Sequence, residues 1–121
     1  MPADLPELLV PDAEAWRSWL DQHHAESPGV WLVLHKKGGH VTALNYDDAL
    51  DEALCVGWID TQGRRRDDGS TFVRFTPRRP KSNWSARNIG IVARLTAEGR
   101  MRPAGQAAID AAKAGGRWGV S

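Results

Sequence analysis

The 121-residue chain contains a single cysteine, Cys55, and this scarcity limits its chemistry. One cysteine cannot form an internal disulfide, and no Cys/His spacing typical of a metal site occurs, so neither a metal nor another cofactor is expected. No apolar run approaches the roughly 20 residues that span a bilayer, and the acidic N-terminus lacks the basic and apolar segments of a signal peptide. We therefore expect a cytoplasmic protein with no membrane span.

Acidic residues are scarce in the second half of the chain. Residues 64–121 hold 4 Asp/Glu against 13 Lys/Arg, a net charge of +9, whereas residues 1–63 hold 11 against 3, a net charge of −8. Such a split indicates either an anionic partner for the basic half or two halves that neutralise each other. Because 121 residues suit one domain, which must bring the halves together, mutual neutralisation is favoured.

The spacing of apolar residues predicts the secondary structure. Helices are expected over four segments: 13–25, 46–55, 84–98 and 103–114. The continuous apolar run 30–34 predicts a strand buried on both faces, and the alternation over 58–76 predicts an antiparallel hairpin. Together these elements predict an α+β fold, in which about four helices pack around a small, mainly antiparallel sheet. We expect a lead-in over 1–11, one domain over 12–118 and a tail over 119–121.

The segment from residue 76 to residue 88 is the richest in chemistry. Its two prolines favour a stiff, extended arm over 76–81. Ser82 or Asn83 is then expected to cap a helix, whose first N–H groups attract anions. The arm therefore predicts an anion pocket, and the alternative is a surface linker with solvated charges. The candidate ligand-binding residues are Arg78, Arg79, Lys81, Ser82, Asn83, Trp84 and Arg87.

Trp84 differs from the other five tryptophans because it stands beside four cations. Most tryptophans in a small domain are core residues, since each buries a large area. A tryptophan next to arginine or lysine can instead stack on a ring or a base. We treat Trp84 as a wall of the predicted pocket, and the alternative is that it fills the gap between the helix and the hairpin.

Cys55, Trp58 and Asp60 are additional candidates. A thiol is nucleophilic when a base and a positive field lower its pKa, but the C-terminal end of a helix disfavours a thiolate there. Cys55 is therefore interpreted as a small buried residue. The carboxylate of Asp60 is flanked by apolar residues and needs a cationic or N–H partner. We favour an ion pair with one of four arginines over a role as general base: Arg64, Arg74, Arg78 or Arg79.

Histidine offers little support for a metal site. His23 falls on the apolar stripe of the first predicted helix, and His35 follows the first long strand. A site built from these two residues and Asp60 has no recognisable ligand spacing. No metal ligand and no catalytic residue are assigned.

Two long segments resemble the YdeI/OmpD-associated family, also called the bacteriocin-protection family. They are Ala53-Leu54-Cys55-Val56-Gly57-Trp58-Ile59-Asp60 and Arg74-Phe75-Thr76-Pro77-Arg78-Arg79-Pro80-Lys81-Ser82-Asn83-Trp84-Ser85. The resemblance covers nearly all of residues 12–118. It implies a bacterial cytoplasmic protein linked to bacteriocin and antimicrobial-peptide resistance, a form of stress response. It implies no reaction, cofactor or catalytic residue.

Three functions follow as hypotheses. The first is a non-catalytic module that binds a small anionic ligand or a protein partner through the cationic arm. The second is nucleic-acid binding, with phosphate contacts from the basic half and from the run Arg64-Arg65-Arg66. The third is an enzyme that uses Cys55 or Asp60 beside the arm.

Overall fold

A four-stranded sheet runs through the computed structural model, which describes residues 5–79 and 81–119. The strands are β1 (Glu7–Leu8), β2 (Val30–His35), β3 (Trp58–Asp67) and β4 (Ser70–Pro77), in the order β1-β2-β4-β3. β1 pairs in parallel with β2, and the other two pairings are antiparallel. The mainly antiparallel sheet and the 58–76 hairpin are thus confirmed.

Four helices accompany the sheet, as predicted for an α+β domain. They are α1 (Ala13–His23), α2 (Tyr46–Cys55), α3 (Ala86–Ala97) and α4 (Pro103–Ala114). The side chains of Asp12 and Asn45 accept hydrogen bonds from the first turns of α1 and α2, both at 2.9 Å, so both predicted caps form. None of the helices within the described ranges is long and apolar enough to cross a membrane.

The core is centred on α2, which contacts the other three helices and strands β2 and β3. Every residue of α2 from Ala49 to Cys55 is buried. Strand β2 is buried on both faces, as its apolar run predicts. Its inward residues join the main core, while Trp31 and Val33 pack with Phe72 on the opposite face. The guanidinium of Arg64 covers that smaller cluster, 4.4 Å from the Trp31 ring.

The N-terminal segment, predicted to be a lead-in, contains a short strand. Residues 1–4 lie outside the described ranges, as do the predicted tail residues 120 and 121. The remainder of the lead-in contributes β1, whose two residues are too few to show any periodicity in the sequence. Residues 40–44 form an irregular connection, in which the buried Thr42 hydroxyl donates to the carbonyl of Val10 at 2.6 Å.

Helix α3 begins later than predicted. Its cap is Ser85, whose hydroxyl accepts from the N–H of Asn88 at 3.2 Å, so the prediction of a cap at Ser82 or Asn83 is wrong. The reason is a tertiary contact. The N–H of Trp84 donates to the carbonyl of Arg117 at 3.0 Å, and the two segments form a short parallel bridge. This bridge holds the chain extended until residue 85.

Candidate anion-binding site

A cavity of about 310 Å³ lies between the cationic arm and helix α4. The arm contributes Arg78, Arg79, Ser82 and Trp84, and the turn after α2 contributes Val56 and Gly57. The remaining wall consists of alanines of α4: Ala104, Ala107, Ala108, Ala111 and Ala112. The structure therefore brings four of the seven predicted ligand-binding residues to one cavity, together with an apolar wall that sequence reasoning missed.

Gly57 joins the walls of the cavity. It adopts a φ of +80°, which ends α2 and directs the chain into β3. Its carbonyl accepts a hydrogen bond from the N–H of Arg78 at 2.9 Å, which fixes the start of the arm. A Cβ at residue 57 would lie 3.2 Å from the carbonyl oxygen of Ala104, so α4 approaches closely here. The position needs glycine for both reasons.

Arg78 is the central cation of the site. Its guanidinium stacks 4.0 Å above the Trp84 ring, and one Nη donates to the carbonyl of Asn83 at 3.0 Å. Its Nε is buried and has no hydrogen-bond partner. Burial lowers the pKa of Arg78, whereas the more distant charge of Asp60 acts in the opposite direction. Across residues 5–79 and 81–119, no carboxylate forms an ion pair with this half-buried charge.

The other polar groups of the arm take different positions. Ser82 lines the cavity, but its hydroxyl, like the Nε of Arg78, is buried without a hydrogen-bond partner. Arg79 lines the cavity and is exposed, so it adds charge at the mouth. Lys81 and Asn83 are also exposed but do not line the cavity. Pro80, between Arg79 and Lys81, lies outside the described ranges.

Trp84 is a core residue with one edge in the cavity. It is 2% exposed, and its ring packs 5.1 Å from that of Trp118. Trp84 is therefore a buried packing residue that also lines the cavity. Arg78 covers one face of its ring.

Comparison with known proteins assigns the chain to a family. The profile of a domain of unknown function (DUF8412) matches residues 8–108. The chain belongs to the DUF8412 family. No curated protein and no solved structure matches the chain. The family description carries no activity, so the function has to be argued from the geometry of the site.

Arg87 lies apart from the cavity. Its guanidinium is 5.7 Å from the centre of the Tyr46 ring and 3.9 Å from a carboxylate oxygen of Asp47. Interaction with Tyr46 raises the pKa of Arg87. The structure thus does not unite Arg87 with the other cations of the arm.

Asp60 has a different partner from the one predicted. The hydroxyl of Tyr46 donates to its carboxylate at 2.6 Å. No arginine of the described residues forms an ion pair with Asp60, so the predicted pairing is wrong. A phenol satisfies the carboxylate instead, because the N-terminal end of α2 lies against β3 at this point. Burial, followed by the bond to Asp60, raises the pKa of Tyr46.

Cys55 and Trp58 are both internal. The thiol is 3% exposed, and burial raises its pKa to about 11, so it is protonated at neutral pH. The interpretation of Cys55 as a small buried residue is confirmed. Trp58 is 1% exposed and makes edge contacts with two tryptophans of α1. Neither side chain lines the cavity.

His23 makes local contacts. His23 packs on Trp19, with 5.1 Å between ring centroids, and one ring nitrogen lies 2.8 Å from a carboxylate oxygen of Glu26. In the part of the chain that the structure describes, no group of three or more His, Cys, Asp and Glu side chains is arranged to hold a metal ion.

Most other arginines are neutralised within the protein. Each member of the run 64–66 pairs with a carboxylate, from Glu7, Asp68 and Asp67 respectively. Further pairs join the two halves of the chain: Arg94–Asp51, Arg100–Glu52 and Arg102–Asp21. Mutual neutralisation of the acidic and basic halves, favoured from the sequence, is confirmed for these residues.

Proposed function

We propose that this protein is a non-catalytic binding module whose cavity holds a small anionic ligand. The observation that carries the proposal is the position of Arg78, a half-buried cation that lines the cavity and has no carboxylate partner among the described residues. Removing a charge from water is costly unless a counter-ion compensates it. An anion in the cavity would supply that compensation and accept hydrogen bonds from the guanidinium of Arg78.

The contrast with other arginines supports this assignment. Arg17 donates through Nε and Nη to both oxygens of Glu52, at 3.0 and 2.8 Å, and Arg102 makes the same paired contact with Asp21. A guanidinium fork binds carboxylates in this way because its geometry matches theirs. Arg78 has the same fork and lines the cavity, but, like Arg74, Arg79 and Arg117, it has no carboxylate partner among the described residues.

The resemblance to the YdeI/OmpD-associated family supports a biological role. We propose that the chain is related to that family and acts in the bacterial cytoplasm in resistance to bacteriocins and other antimicrobial peptides. The two segments that carry the resemblance, 53–60 and 74–85, meet at the hydrogen bond between Gly57 and Arg78, and both line the cavity. Each of the two segments therefore contributes residues to the proposed site.

The two rival functions gain less support. A nucleic-acid surface needs free cations, but the run 64–66 is paired with carboxylates. A thiol enzyme needs an accessible thiolate, but Cys55 is buried and protonated at neutral pH. Asp60 is held by Tyr46 and does not line the cavity.

The first experiment is a titration with hexanoate and with inorganic phosphate, followed by NMR. We expect saturable shifts of the backbone amides of residues 56, 57, 78, 79 and 81–84 and of the Trp84 indole. Arg78→Gln should abolish them. Arg79→Gln, at an exposed position, should weaken binding without altering the fold. Arg65→Gln is the matched control, because Arg65 pairs with Asp68 in the hairpin turn and does not line the cavity. Equal binding by all variants would disprove the site.

The second experiment is made in cells. The gene for this protein is deleted from its bacterium, and the deletion strain is complemented with the wild type, Arg78→Gln or Arg65→Gln. Each strain is then challenged with a panel of bacteriocins. We expect the wild type and Arg65→Gln to restore resistance and Arg78→Gln to fail. Unchanged sensitivity after loss of the protein would refute the role in resistance and leave the binding proposal intact.

A further inference from the structure

We infer that the anion is a small amphipathic carboxylate, with a short apolar body, rather than a phosphate or a nucleotide. This inference rests on the proposed function and adds the chemical class of its ligand. Three features of the cavity carry it: an alanine wall, a single half-buried cation and a small volume.

The alanine wall favours a ligand with an apolar body. The five alanines follow helical spacing, at i, i+3, i+4, i+7 and i+8 from Ala104, so they form one continuous face of α4. Val56 and the edge of Trp84 extend this surface. Inorganic phosphate would leave the wall in contact with water. A ligand with an apolar body would cover it and gain from the burial of both surfaces.

The cation favours a carboxylate. Arg78 lines the cavity and has no carboxylate partner among the described residues. Paired N–H groups of a guanidinium match the two oxygens of a carboxylate. A phosphate is held best by several backbone N–H groups at a helix N-terminus. The helix expected to supply them, α3, begins only at Ala86, and Ser85 caps its first turn.

The volume limits the length of the ligand. About 310 Å³ lies at the lower end of the range of roughly 300–1,000 Å³ that ligand pockets occupy. Such a space suits a carboxylate with a body of about six carbons or one aromatic ring. It does not suit a nucleotide, which has a base, a sugar and a phosphate.

Calorimetric titration of the wild type with four probes tests the inference: acetate, hexanoate, hexanamide and inorganic phosphate. Each buried methylene contributes roughly three- to fourfold in affinity, so hexanoate should bind at least about tenfold more tightly than acetate. Hexanamide, which has the same body without the charge, should bind more weakly than hexanoate. Phosphate should also bind more weakly than hexanoate.

Two alanine variants locate the apolar body. Ala107→Leu, at an exposed position of the wall, should fill the space and remove most of the advantage of hexanoate over acetate while acetate still binds. Ala114→Leu, exposed on the same helix but outside the cavity lining, should leave that advantage unchanged.

The outcomes separate the two proposals. If phosphate binds more tightly than hexanoate and Arg78→Gln abolishes its binding, the inference fails and the proposed function survives. If hexanoate and acetate bind equally, the alanine wall has no role and the inference also fails. If hexanamide matches hexanoate, or if no anion binds, both proposals fail.

Discussion

At the scale of single residues, the surroundings of each arginine determine its role. Glu52 is 4% exposed and accepts from both Arg17 and Arg100, so its charge is compensated inside the protein. The hydrogen bond that Arg17 donates to Glu52 is the main cause that raises the pKa of Arg17, whereas burial without an acidic partner lowers the pKa of Arg78. The first arginine stabilises the fold, and the second remains available to a ligand.

Cys55 gives a prediction about alkaline pH. Its folded-state pKa of about 11 lies above its ordinary value of 9.0, mainly because of burial. A group whose pKa is raised by folding contributes stability below its unfolded pKa and loses it as pH rises through the folded value. As pH rises from 9 to 11, the free energy of unfolding of the wild type should therefore fall relative to that of Cys55→Ala. Urea denaturation at several pH values measures it.

Two observations check the Cys55 prediction. The thiol should react with iodoacetamide only after unfolding, since the side chain is buried. A difference between wild type and Cys55→Ala that stays constant across the alkaline range would show that the thiol titrates alike in the folded and unfolded states, which contradicts the prediction.

Tyr46 gives a second prediction. Its titration can be followed by absorbance, because Tyr46 is the only tyrosine of the chain. Burial and the bond to Asp60 raise its pKa above the ordinary value of 10.0, and Arg87 acts in the opposite direction. Phenolate absorbance should therefore appear at a higher pH in the folded protein than in urea. Asp60→Asn should remove part of the shift, because burial remains. Identical titration of the wild type and Asp60→Asn would contradict the assigned hydrogen bond.

At the scale of elements, the sequence allows the body of α3 to be predicted but not its beginning. Apolar spacing predicts an inward stripe that contains Leu95 and either Ile91 or Val92, and the structure buries Val92 and Leu95. The first residue of the helix depends on the bond between Trp84 and Arg117, which are 33 positions apart. Local patterns contain no information about such a contact. The two-residue strand β1 escaped prediction for the same reason, since it is defined by its pairing with β2.

The start of α3 gives a prediction with an internal control. Ser85→Ala removes the hydroxyl that accepts from Asn88 and should lower the free energy of unfolding by about 1 kcal/mol. Ser82→Ala, at the position first expected to cap the helix, should cost less, because that hydroxyl makes no hydrogen bond in the protein. Chemical denaturation of the two variants measures both effects. A larger loss for Ser82→Ala would contradict the assigned cap.

The candidate site was likewise predictable only in part. The cations of the arm indicate Arg78 and Arg79 as site residues, and the expected helix start indicates Ser82. Both signals are local properties of the sequence. The alanines of α4 show helical spacing, but alanine is too common in helices to indicate a ligand wall. Their role depends on how closely α4 approaches Gly57, which the sequence alone does not define.

At the scale of the whole molecule, the opposite charges of the two halves hold the chain together. Ion pairs connect Asp21, Asp51 and Glu52 of the acidic half to arginines of the basic half. Pairs at exposed positions contribute little individually, but those that reach buried carboxylates prevent an uncompensated charge in the core. Pairing across the halves therefore compensates part of the basic charge of the second half. In the arm, Arg78 has no acidic partner among the described residues.

The contact between Asp21 and Arg102 predicts how this pairing responds to acid. The hydrogen bond from Arg102 is the main cause that lowers the pKa of Asp21 below its ordinary value of 3.8. A carboxylate whose pKa is lowered by folding contributes stability above its unfolded pKa and loses it as pH falls through the folded value. Arg102→Gln should therefore reduce the free energy of unfolding at neutral pH by up to about 1 kcal/mol, and the deficit should shrink toward about pH 2.

Arg65→Gln is the control for this prediction, because Arg65 pairs with Asp68 within a single exposed turn and connects no distant elements. It should change the free energy of unfolding by less than about 0.5 kcal/mol at either pH. Guanidinium chloride would screen the charges, so urea is the suitable denaturant. A deficit of Arg102→Gln that persists unchanged in acid would assign the loss to packing of the arginine stem, which lies between α1 and the start of α4, and would refute the electrostatic account.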